Sequence, residues 1–331
     1  MTAEHRPAQL VAALRARFEA GWRINFDGNH LTMRRCGPAL TPARPRQAPG
    51  PRTMLDTIGR EFARLNVPRA PLLPLRWRRD TDLVISAIQG LDPWLKDGQS
   101  RVCREGYLPQ LVVRFTGERD EHGQLVDGFL TSFVNVSCVQ RVPDVKRHVE
   151  LLDGWIGALS AVGIHAGRLT IHGDLTPWQR DRVSGLTLFV DCDGLGTSDA
   201  VLLWNTASPG HMATDIGSGL ERLRWLLSPD SWSQTVFGDD AQLWPVDVLD
   251  AIRTATLLVM NGIRASSRGP GSAIQRVLHR VPRSMAAAGL GRLVRAQRAY
   301  WVAAGATGPG WPSVTTVIED SVLALPRSVV G

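Results

Sequence analysis

The chain has 331 residues, of which 44% are hydrophobic and 21% are charged, and its formal net charge is +7. This length suits one large domain or two modest ones, and no apolar run is long enough to span a membrane. The four cysteines are scattered and form no cluster with histidines, which argues against a zinc site. The pI of about 10.0 favours an anionic partner. The charged N-terminal stretch lacks the apolar core of a signal peptide, so we expect a cytoplasmic protein.

Residues 1–52 are predicted to form an N-terminal extension and linker. Leucine and aromatic side chains recur at steps of four between residues 8 and 22, which predicts a helix. Residues 38–51 are rich in proline, arginine and glycine, a composition typical of a linker. The sequence indicates no function for this segment.

Helix and strand patterns follow the linker. An amphipathic helix begins at Met54, a proline-marked turn covers residues 71–74, and the apolar run 81–87 predicts a buried strand. Residues 101–106 precede a loop and a strand. A second strand is predicted over residues 129–137.

The middle of the chain is predicted to contain one helix and several strands. Residues 147–163 have the apolar spacing of an amphipathic helix. Strands are predicted at residues 169–172, 186–191 and 200–205, with a glycine-rich turn between the last two. His172 lies in the first of these strands, and we interpret it as a structural or surface histidine rather than a general base.

The stretch 215–223 is the most informative part of the chain. Gly217 and Gly219 carry no Cβ, so a neighbouring strand can approach closely, and the leucines that follow have helical spacing. The segment is therefore predicted to be a strand that runs into a helix. The carboxylate of Asp215 precedes the two glycines, where a neighbouring strand can pass closely, and the guanidinium of Arg222 follows them. A carboxylate can bind an ammonium group, and a guanidinium can bind a phosphate. The alternative is an ordinary strand–helix junction with a surface Glu–Arg pair.

This stretch resembles the third signature motif of class II aminoacyl-tRNA synthetases, in the form found in alanyl-tRNA synthetase, where an aspartate, paired glycines and a Gly-Leu-Glu-Arg run occur in the same order. The resemblance extends over residues 54–290, with weaker matches to the first and second motifs. It implies an α+β fold: a class II synthetase-type antiparallel β-sheet flanked by helices, followed by a small helical domain. We place the catalytic domain at residues 53–235, the helical domain at 236–305 and a C-terminal tail at 306–331.

The resemblance implies that ATP and Mg²⁺ are used, and it gives roles to individual residues. Arg104 matches the arginine that holds the α-phosphate, where an always-charged bidentate donor suits the negative charge that builds up during carboxylate attack. Phe129 matches the aromatic residue that packs on adenine, and Arg222 matches the arginine that holds the triphosphate. Gly217 and Gly219 would lie beside the nucleotide. Taken without the resemblance, Arg104 would be a surface arginine and Phe129 a core residue. We assign no metal ligand to the protein.

The resemblance also implies a pocket for an amino acid. Asp215 would hold the α-amino group, because a carboxylate pairs with an ammonium. Asn205 and Trp204 would form the floor of this pocket together with Asp199. A purely structural role for Asp199 is an equal alternative.

The chain departs from the family's pattern at several positions. Residues 266–269 lack the asparagine that reads the tRNA acceptor stem, and Leu108 and Thr131 replace a lysine and an acidic residue of the second motif. The tryptophan of the alanine pocket maps near Thr187 or Leu188, which changes the shape of a pocket wall. The distal tRNA-recognition helices and the editing domain have no counterpart in the sequence.

A predicted helix after residue 270 carries Arg276, Arg280 and Arg283 on one face. This face is either a nucleic-acid surface or a solvated one.

We therefore predict an enzyme that uses ATP to activate a small amino acid, alanine or similar, as an aminoacyl-adenylate. It would transfer the aminoacyl group to a non-standard acceptor, which would be a small molecule or a carrier protein in natural-product biosynthesis. The alternatives are a minimal tRNA-dependent enzyme of the alanyl-tRNA synthetase type and a catalytically silent paralogue. We expect no membrane partner.

Overall fold

The structure is a computed structural model, and it describes residues 5–37 and 47–325. These residues separate into two compact units. The first unit takes the described residues up to Leu73, Ser86–Gln110 and Asn135–Pro229. The second takes Pro74–Ile85, Leu111–Val134 and the described residues from Asp230 onward.

The described strands form one nine-stranded sheet. They are β1 (Trp22–Phe26), β2 (His30–Arg35), β3 (Gly106–Val113), β4 (Ser132–Arg141), β5 (Leu169–Asp174), β6 (Trp178–Arg180), β7 (Val183–Cys192), β8 (Leu195–Asn205) and β9 (Met212–Gly219). The order across the sheet is β1–β2–β5–β7–β8–β9–β4–β3, and β6 pairs with β7. The pairings of β1, β2 and β4–β9 are antiparallel.

The helices of the first unit are α1 (Arg6–Phe18), α2 (Pro51–Arg64), α3 (Asp92–Leu95), α4 (Val145–Ala161) and α5 (Leu220–Leu227). The helices of the second unit are α6 (Trp232–Phe237), α7 (Asp240–Leu243), α8 (Val246–Met260), α9 (Pro270–Leu278), α10 (Arg283–Ala288), α11 (Gly291–Ala303) and α12 (Trp311–Ala324). The predicted α+β architecture, an antiparallel sheet flanked by helices, is confirmed. Among the described residues, no helix combines the length and the apolar character needed to cross a bilayer.

Strands β5 and β7–β9 are buried on one side and partly open on the other, whereas β3 and most of β4 are buried on both sides. Successive side chains of a strand point to opposite faces, and along β8 Ala200 and Leu202 are fully buried while Asp199 is exposed. The register pairs Asp199 with Gly217 of β9 and Val201 with Asp215, so these residues share a face. We call this side the open face; it carries His172, Phe189, Asp199, Val201, Asp215 and Gly217.

Helix α4 covers the buried side of the sheet. Asp144 caps its first turn, and apolar side chains then recur every three or four residues. Trp155 Nε1 donates a hydrogen bond to Ser198 Oγ at 3.0 Å, and His148 Nδ1 lies 2.7 Å from Thr214 Oγ1. Both partners belong to the buried faces of β8 and β9. The helix is therefore fixed behind the two strands whose other side carries Asp199 and Asp215.

Helix α8 forms the centre of the second unit and is buried along almost its whole length. Asp250 Oδ1 accepts a hydrogen bond from Thr131 N at 2.9 Å. The fully buried Arg253 guanidinium lies 4.1 Å from the ring centroid of Tyr300 and 4.2 Å from that of Trp301. Thr131, which replaces an acidic residue of the family's pattern, is thus part of the interior of this unit.

The strand predicted over residues 81–87 is wrong. Leu83 forms only an isolated bridge with Arg76. Ser86 and Gln89 instead form a capping box that starts a 3₁₀ helix at Ala87. Because side-chain hydrogen bonds to the backbone compete with strand pairing, this local cap overrides the apolar run.

Both ends of the chain contribute more structure than the sequence indicated. In the N-terminal extension the helix predicted between residues 8 and 22 is present as α1 but ends at Phe18, and the unpredicted hairpin β1–β2 follows, with β2 paired to β5. The predicted C-terminal tail contains α12, in which Val314, Ile318 and Val322 are fully buried at helical spacing. Residues 38–46 of the predicted linker and 326–331 of the predicted tail lie outside the described residues.

The buried environment of His148 disfavours its protonated form. The side chain is fully buried, and its Nε2 has no hydrogen-bond partner among the residues that the structure describes. Burial lowers the pKa of His148 from 6.5 to about 4. The imidazole is therefore neutral in the folded protein at physiological pH.

The free energy of unfolding should fall as the pH is lowered from 6.5 to 4. In this window the unfolded chain protonates His148 and the folded chain does not, so protons favour unfolding. The loss should approach ~3 kcal/mol. Urea unfolding of the wild type and His148→Gln across this range measures it, and the difference between the two proteins removes the contribution of other groups. A difference that stays constant with pH would contradict the assignment.

Candidate functional site

The predicted strand–helix segment is confirmed as the junction of β9 and α5. Strand β9 ends at Gly219, and α5 begins at Leu220. Asp215 lies on the open face of β9, half-buried between Val139 of β4 and Val201 of β8. The open face therefore carries a carboxylate at the centre of β9.

The close pass predicted from the paired glycines is present at Gly217. A Cβ there would lie 2.9 Å from the Cα of Ser137 and closer still to the Val136 carbonyl oxygen and the Ser137 hydroxyl. Because the obstructing atoms include backbone of β4, they cannot move aside as a flexible side chain would. The packing of β9 on β4 is thus sufficient by itself to require glycine at this position.

Arg222 lies at the far end of the same strand. Its Nη1 donates a hydrogen bond to the carbonyl oxygen of Gly196 at 3.0 Å, at the hairpin between β7 and β8. Asp215 and Gly219 are four residues apart, a span of ~13 Å along a strand. A carboxylate in the middle of the strand is thus followed by a guanidinium beyond its end.

Asp199 stands beside this carboxylate on the neighbouring strand. It is exposed, and it is paired in register with Gly217, two residues beyond Asp215. Diagonal neighbours of this kind lie ~7–8 Å apart on one face of a sheet. Two carboxylates therefore share this part of the open face.

Trp204 and Asn205 are engaged away from Asp215. Trp204 is buried, and the Arg6 guanidinium lies 4.2 Å from its ring centroid. Asn205 Nδ2 donates to the carbonyl oxygen of Leu95 at 2.7 Å, and its Oδ1 accepts from two backbone amides of the β8–β9 turn at 2.9 and 2.8 Å. The structure thus uses Trp204 for packing and Asn205 for holding a turn.

Arg104 lies in the loop before β3. It is exposed, and its backbone N donates to the Gly90 carbonyl oxygen at 3.0 Å. The next residue, Glu105, forms an ion pair with Arg141 at the end of β4, and this pair lowers the pKa of Glu105. Arg141 is paired in register with Ala213. The loop that carries Arg104 therefore meets β4 beside the start of β9, at the end opposite to Arg222.

Phe129 belongs to the second unit. It is half-buried, its backbone N donates to Val126 at 3.1 Å, and its side chain lies against Gly117. Within its own unit the ring therefore packs on its own loop.

Two features of the open face escaped the sequence analysis. The first is the Glu105–Arg141 ion pair; Arg141 is in register with Ala213, which lies two residues before Asp215 in β9. The second is Trp178 of β6, whose ring covers Gly185 so closely that a Cβ there would clash with it. Trp178 Nε1 donates to Thr187 Oγ1 at 3.0 Å. The only sequence signal for the β6–β7 hairpin is the polar turn that follows Trp178.

Trp178 provides a wall on the open face. Thr187, Val201 and Asp215 are in register across β7, β8 and β9. The Trp178 ring is hydrogen-bonded to Thr187. Two strand spacings separate Thr187 from Asp215, which is ~10 Å. An aromatic wall and a carboxylate therefore flank Val201 at a spacing that suits a small ligand. His172, by contrast, bonds Asp191 at 3.0 Å and lies further across the sheet.

Arg276, Arg280 and Arg283 each make a contact within the second unit. The Arg276 guanidinium lies 4.3 Å from the ring centroid of Phe115. Arg280 Nε lies 3.7 Å from a carboxylate oxygen of Asp247, and Arg283 Nη1 donates to a backbone carbonyl near the end of α12. The three guanidinium groups are therefore already partnered inside the unit.

The described residues contain no cluster of three or more histidine, cysteine, aspartate or glutamate side chains that could hold a metal ion. Mg²⁺ binds mainly through substrate phosphates and water, and needs few protein ligands. Any Mg²⁺ at the open face would therefore depend on a nucleotide for most of its ligands.

Comparison with known proteins shows no family for this chain. No family model matches it, and no curated protein matches it.

Replacing Gly217 with alanine should destabilise the first unit by about 1–3 kcal/mol, because the new methyl group overpacks against β4. Gly157→Ala is the matched control: this glycine lies on the exposed side of α4 with open space at its Cβ position, so alanine should stabilise by about 0.5–1 kcal/mol. Urea unfolding of both variants measures the effect. Equal stability of Gly217→Ala and the wild type would refute the close pass.

Proposed function

We propose that the open face binds ATP and a small amino acid and joins them as an aminoacyl-adenylate. The observation that carries this proposal is the β9–α5 junction. A half-buried carboxylate stands on the partly open side of a helix-backed antiparallel sheet. Its strand packs closely on β4 at Gly217 and leads directly into a helix with Arg222 in its first turn. The resemblance to the class II synthetase catalytic core supports the same function.

In this proposal Asp215 holds the α-ammonium group of the amino acid. A carboxylate–ammonium pair fixes the orientation of the substrate, because the bond is charge-assisted and directional. Asp199 adds a second negative charge on the same face. The proposal does not use Trp204 or Asn205, whose side chains are engaged elsewhere.

The chemical step needs no protein base. The amino-acid carboxylate is already ionised at neutral pH. One of its oxygens attacks the α-phosphorus of ATP, the bond between the α- and β-phosphates breaks, and pyrophosphate leaves. Catalysis is then alignment and neutralisation of charge. Arg104 neutralises the α-phosphate and Arg222 the triphosphate, while bound Mg²⁺ would add charge neutralisation at the phosphates.

The acceptor in this proposal is a small molecule or a carrier protein. The alternative acceptor, tRNA, would need a basic surface, and the contacts of Arg276, Arg280 and Arg283 within their own unit leave less of that face for phosphates. Salt-sensitive binding of tRNA would favour this alternative. A catalytically silent paralogue is favoured if calorimetry detects no ATP binding.

ATP–pyrophosphate exchange without tRNA tests the proposal. The wild type should exchange label in the presence of a small amino acid such as alanine. Asp215→Asn should lower the rate by ~100-fold, because the substrate ammonium loses its partner. Asp153→Asn is the matched control, since this carboxylate on α4 pairs with Arg17 behind the sheet, and it should exchange normally. No exchange with any amino acid, or equal loss in both variants, would contradict the proposal.

Removing either arginine should lower kcat for the exchange by ~100- to 1,000-fold, the effect of losing one preorganised donor to a developing negative charge. Arg104→Ala and Arg222→Ala test this, and Arg60→Ala on the exposed side of α2 is the control. An unchanged kcat in the first two variants would remove both residues from the proposed site.

Trp178→Ala should change which amino acid is activated, because it removes the wall beside Thr187 and enlarges the space over Val201. The ratio of kcat/KM for leucine to that for alanine should rise by ~10- to 200-fold, the range that one pocket contact controls. The ratio is the readout because a general loss of stability leaves it unchanged. An unaltered ratio would exclude Trp178 from the pocket.

A further inference from the structure

A groove on the first unit lies apart from the open face. It has a volume of about 890 Å³ and is formed by one side of α1, the start of α4 and the turn between β8 and β9. Its wall is largely apolar and includes Ala12, Ala13, Val149 and Met212. Met212 is paired in register with the buried Trp204, so the groove opens on the helix-covered side of the sheet.

A buried arginine stands at one end of this groove. Arg6 in the first turn of α1 is only 6% exposed. Its Nη2 donates to the carbonyl oxygen of Pro209 at 2.6 Å, and its guanidinium lies over the ring of Trp204. Arg6 lines the groove, and its Nη1 is buried and makes no hydrogen bond to any residue that the structure describes. A buried guanidinium N–H without an acceptor is costly, so this group requires an anionic or polar partner.

The charges around the groove leave a positive excess. Asp144 is engaged in capping α4, and Glu150 pairs with Arg147 at 3.1 Å. Arg17 at the rim pairs with Asp153 at 2.6 Å. Lys146 is exposed on the groove and forms no ion pair with the described residues.

The start of α4 also lines the groove. The N-terminal end of a helix carries partial positive charge, but here the Asp144 carboxylate already caps it and offsets that charge. The positive excess of the groove therefore comes from Arg6 and Lys146.

We propose that this groove binds a small amphipathic anion. The anionic end, a carboxylate or a phosphate, bonds Arg6 Nη1 and lies near Lys146, and an apolar chain or ring lies along the alanines of α1 and Met212. The proposal is independent of the function of the open face. Because the groove opens on the opposite side of the sheet, its ligand is distinct from the amino acid and the nucleotide.

Calorimetric titration of the full chain with four probes of equal length tests this site. The probes are octanoate, octyl phosphate, octylamine and octanol. At least one of the two anions should bind with 1:1 stoichiometry and at least tenfold more tightly than the amine or the alcohol, and the order of the two anions distinguishes a carboxylate ligand from a phosphate ligand. Saturable binding of none of them, or equal binding of octanol and the anions, overturns the proposal.

Variants assign the binding to the groove. Arg6→Gln should weaken binding of the preferred anion by about tenfold or more, the effect of losing a charge-assisted bond. Arg60→Gln is the control, because this arginine lies on the exposed side of α2 and does not line the groove, and it should bind normally. Equal weakening by both variants identifies a general basic surface and overturns the proposal.

Two further variants keep the test decisive if Arg6→Gln does not fold, as circular dichroism would show. Lys146→Glu reverses an exposed charge, and Ala13→Leu fills the apolar wall. Each should weaken the preferred anion by about tenfold while the protein stays folded. Unchanged affinity in both folded variants places the ligand elsewhere and overturns the proposal.

Discussion

The one-sided burial of β8 and β9 is the constraint on which the rest of the structure depends. These two strands turn buried, mostly apolar side chains toward α4, and hydrogen bonds from Trp155 and His148 hold the helix on them. Because side chains alternate along a strand, burying Ala200, Leu202 and Ile216 forces the residues between them to the other face. Asp199 and Asp215 therefore lie on the open face, the first exposed and the second half-buried, as a consequence of how the core is packed.

Gly217 couples this packing to the candidate site. A Cβ at this position would clash with β4, so packing alone explains why the residue is glycine, whatever ligand the open face binds. A motif glycine is thus weak support for nucleotide binding when considered alone. The combination of Asp215, the close approach at Gly217 and the immediate start of α5 carries the proposal, since together these features place a carboxylate on a strand and a guanidinium in the helix that follows it.

Local patterns predicted most of the fold, and long-range contacts decided the rest. Helical spacing located α2, α4 and α9, and the leucines after Gly219 located α5. The apolar run 81–87 was misleading because Ser86 and Gln89 cap a helix there. Val314, Ile318 and Val322 carried a helical signal that the glycines and prolines around residue 309 obscured.

The candidate site was predictable only where its residues are close in sequence. Asp215, Gly217, Gly219 and Arg222 lie within one short segment, and the structure keeps them at one junction. Asn205 had the right chemistry for a zwitterion, but the turn amides and Leu95 use its amide group. The contacts of Trp178 with Thr187 and of Glu105 with Arg141 depend on strand register, which a single sequence does not specify.

The most direct test is a crystal structure of the protein with a 5′-O-sulfamoyl adenosine analogue of the aminoacyl-adenylate. The account predicts the analogue on the open face, with its ammonium within hydrogen-bond distance of the Asp215 carboxylate. Its sulfamoyl group would lie toward Arg104, and its side chain would lie over Val201. An analogue bound elsewhere, or bound with its ammonium away from Asp215, would contradict the account.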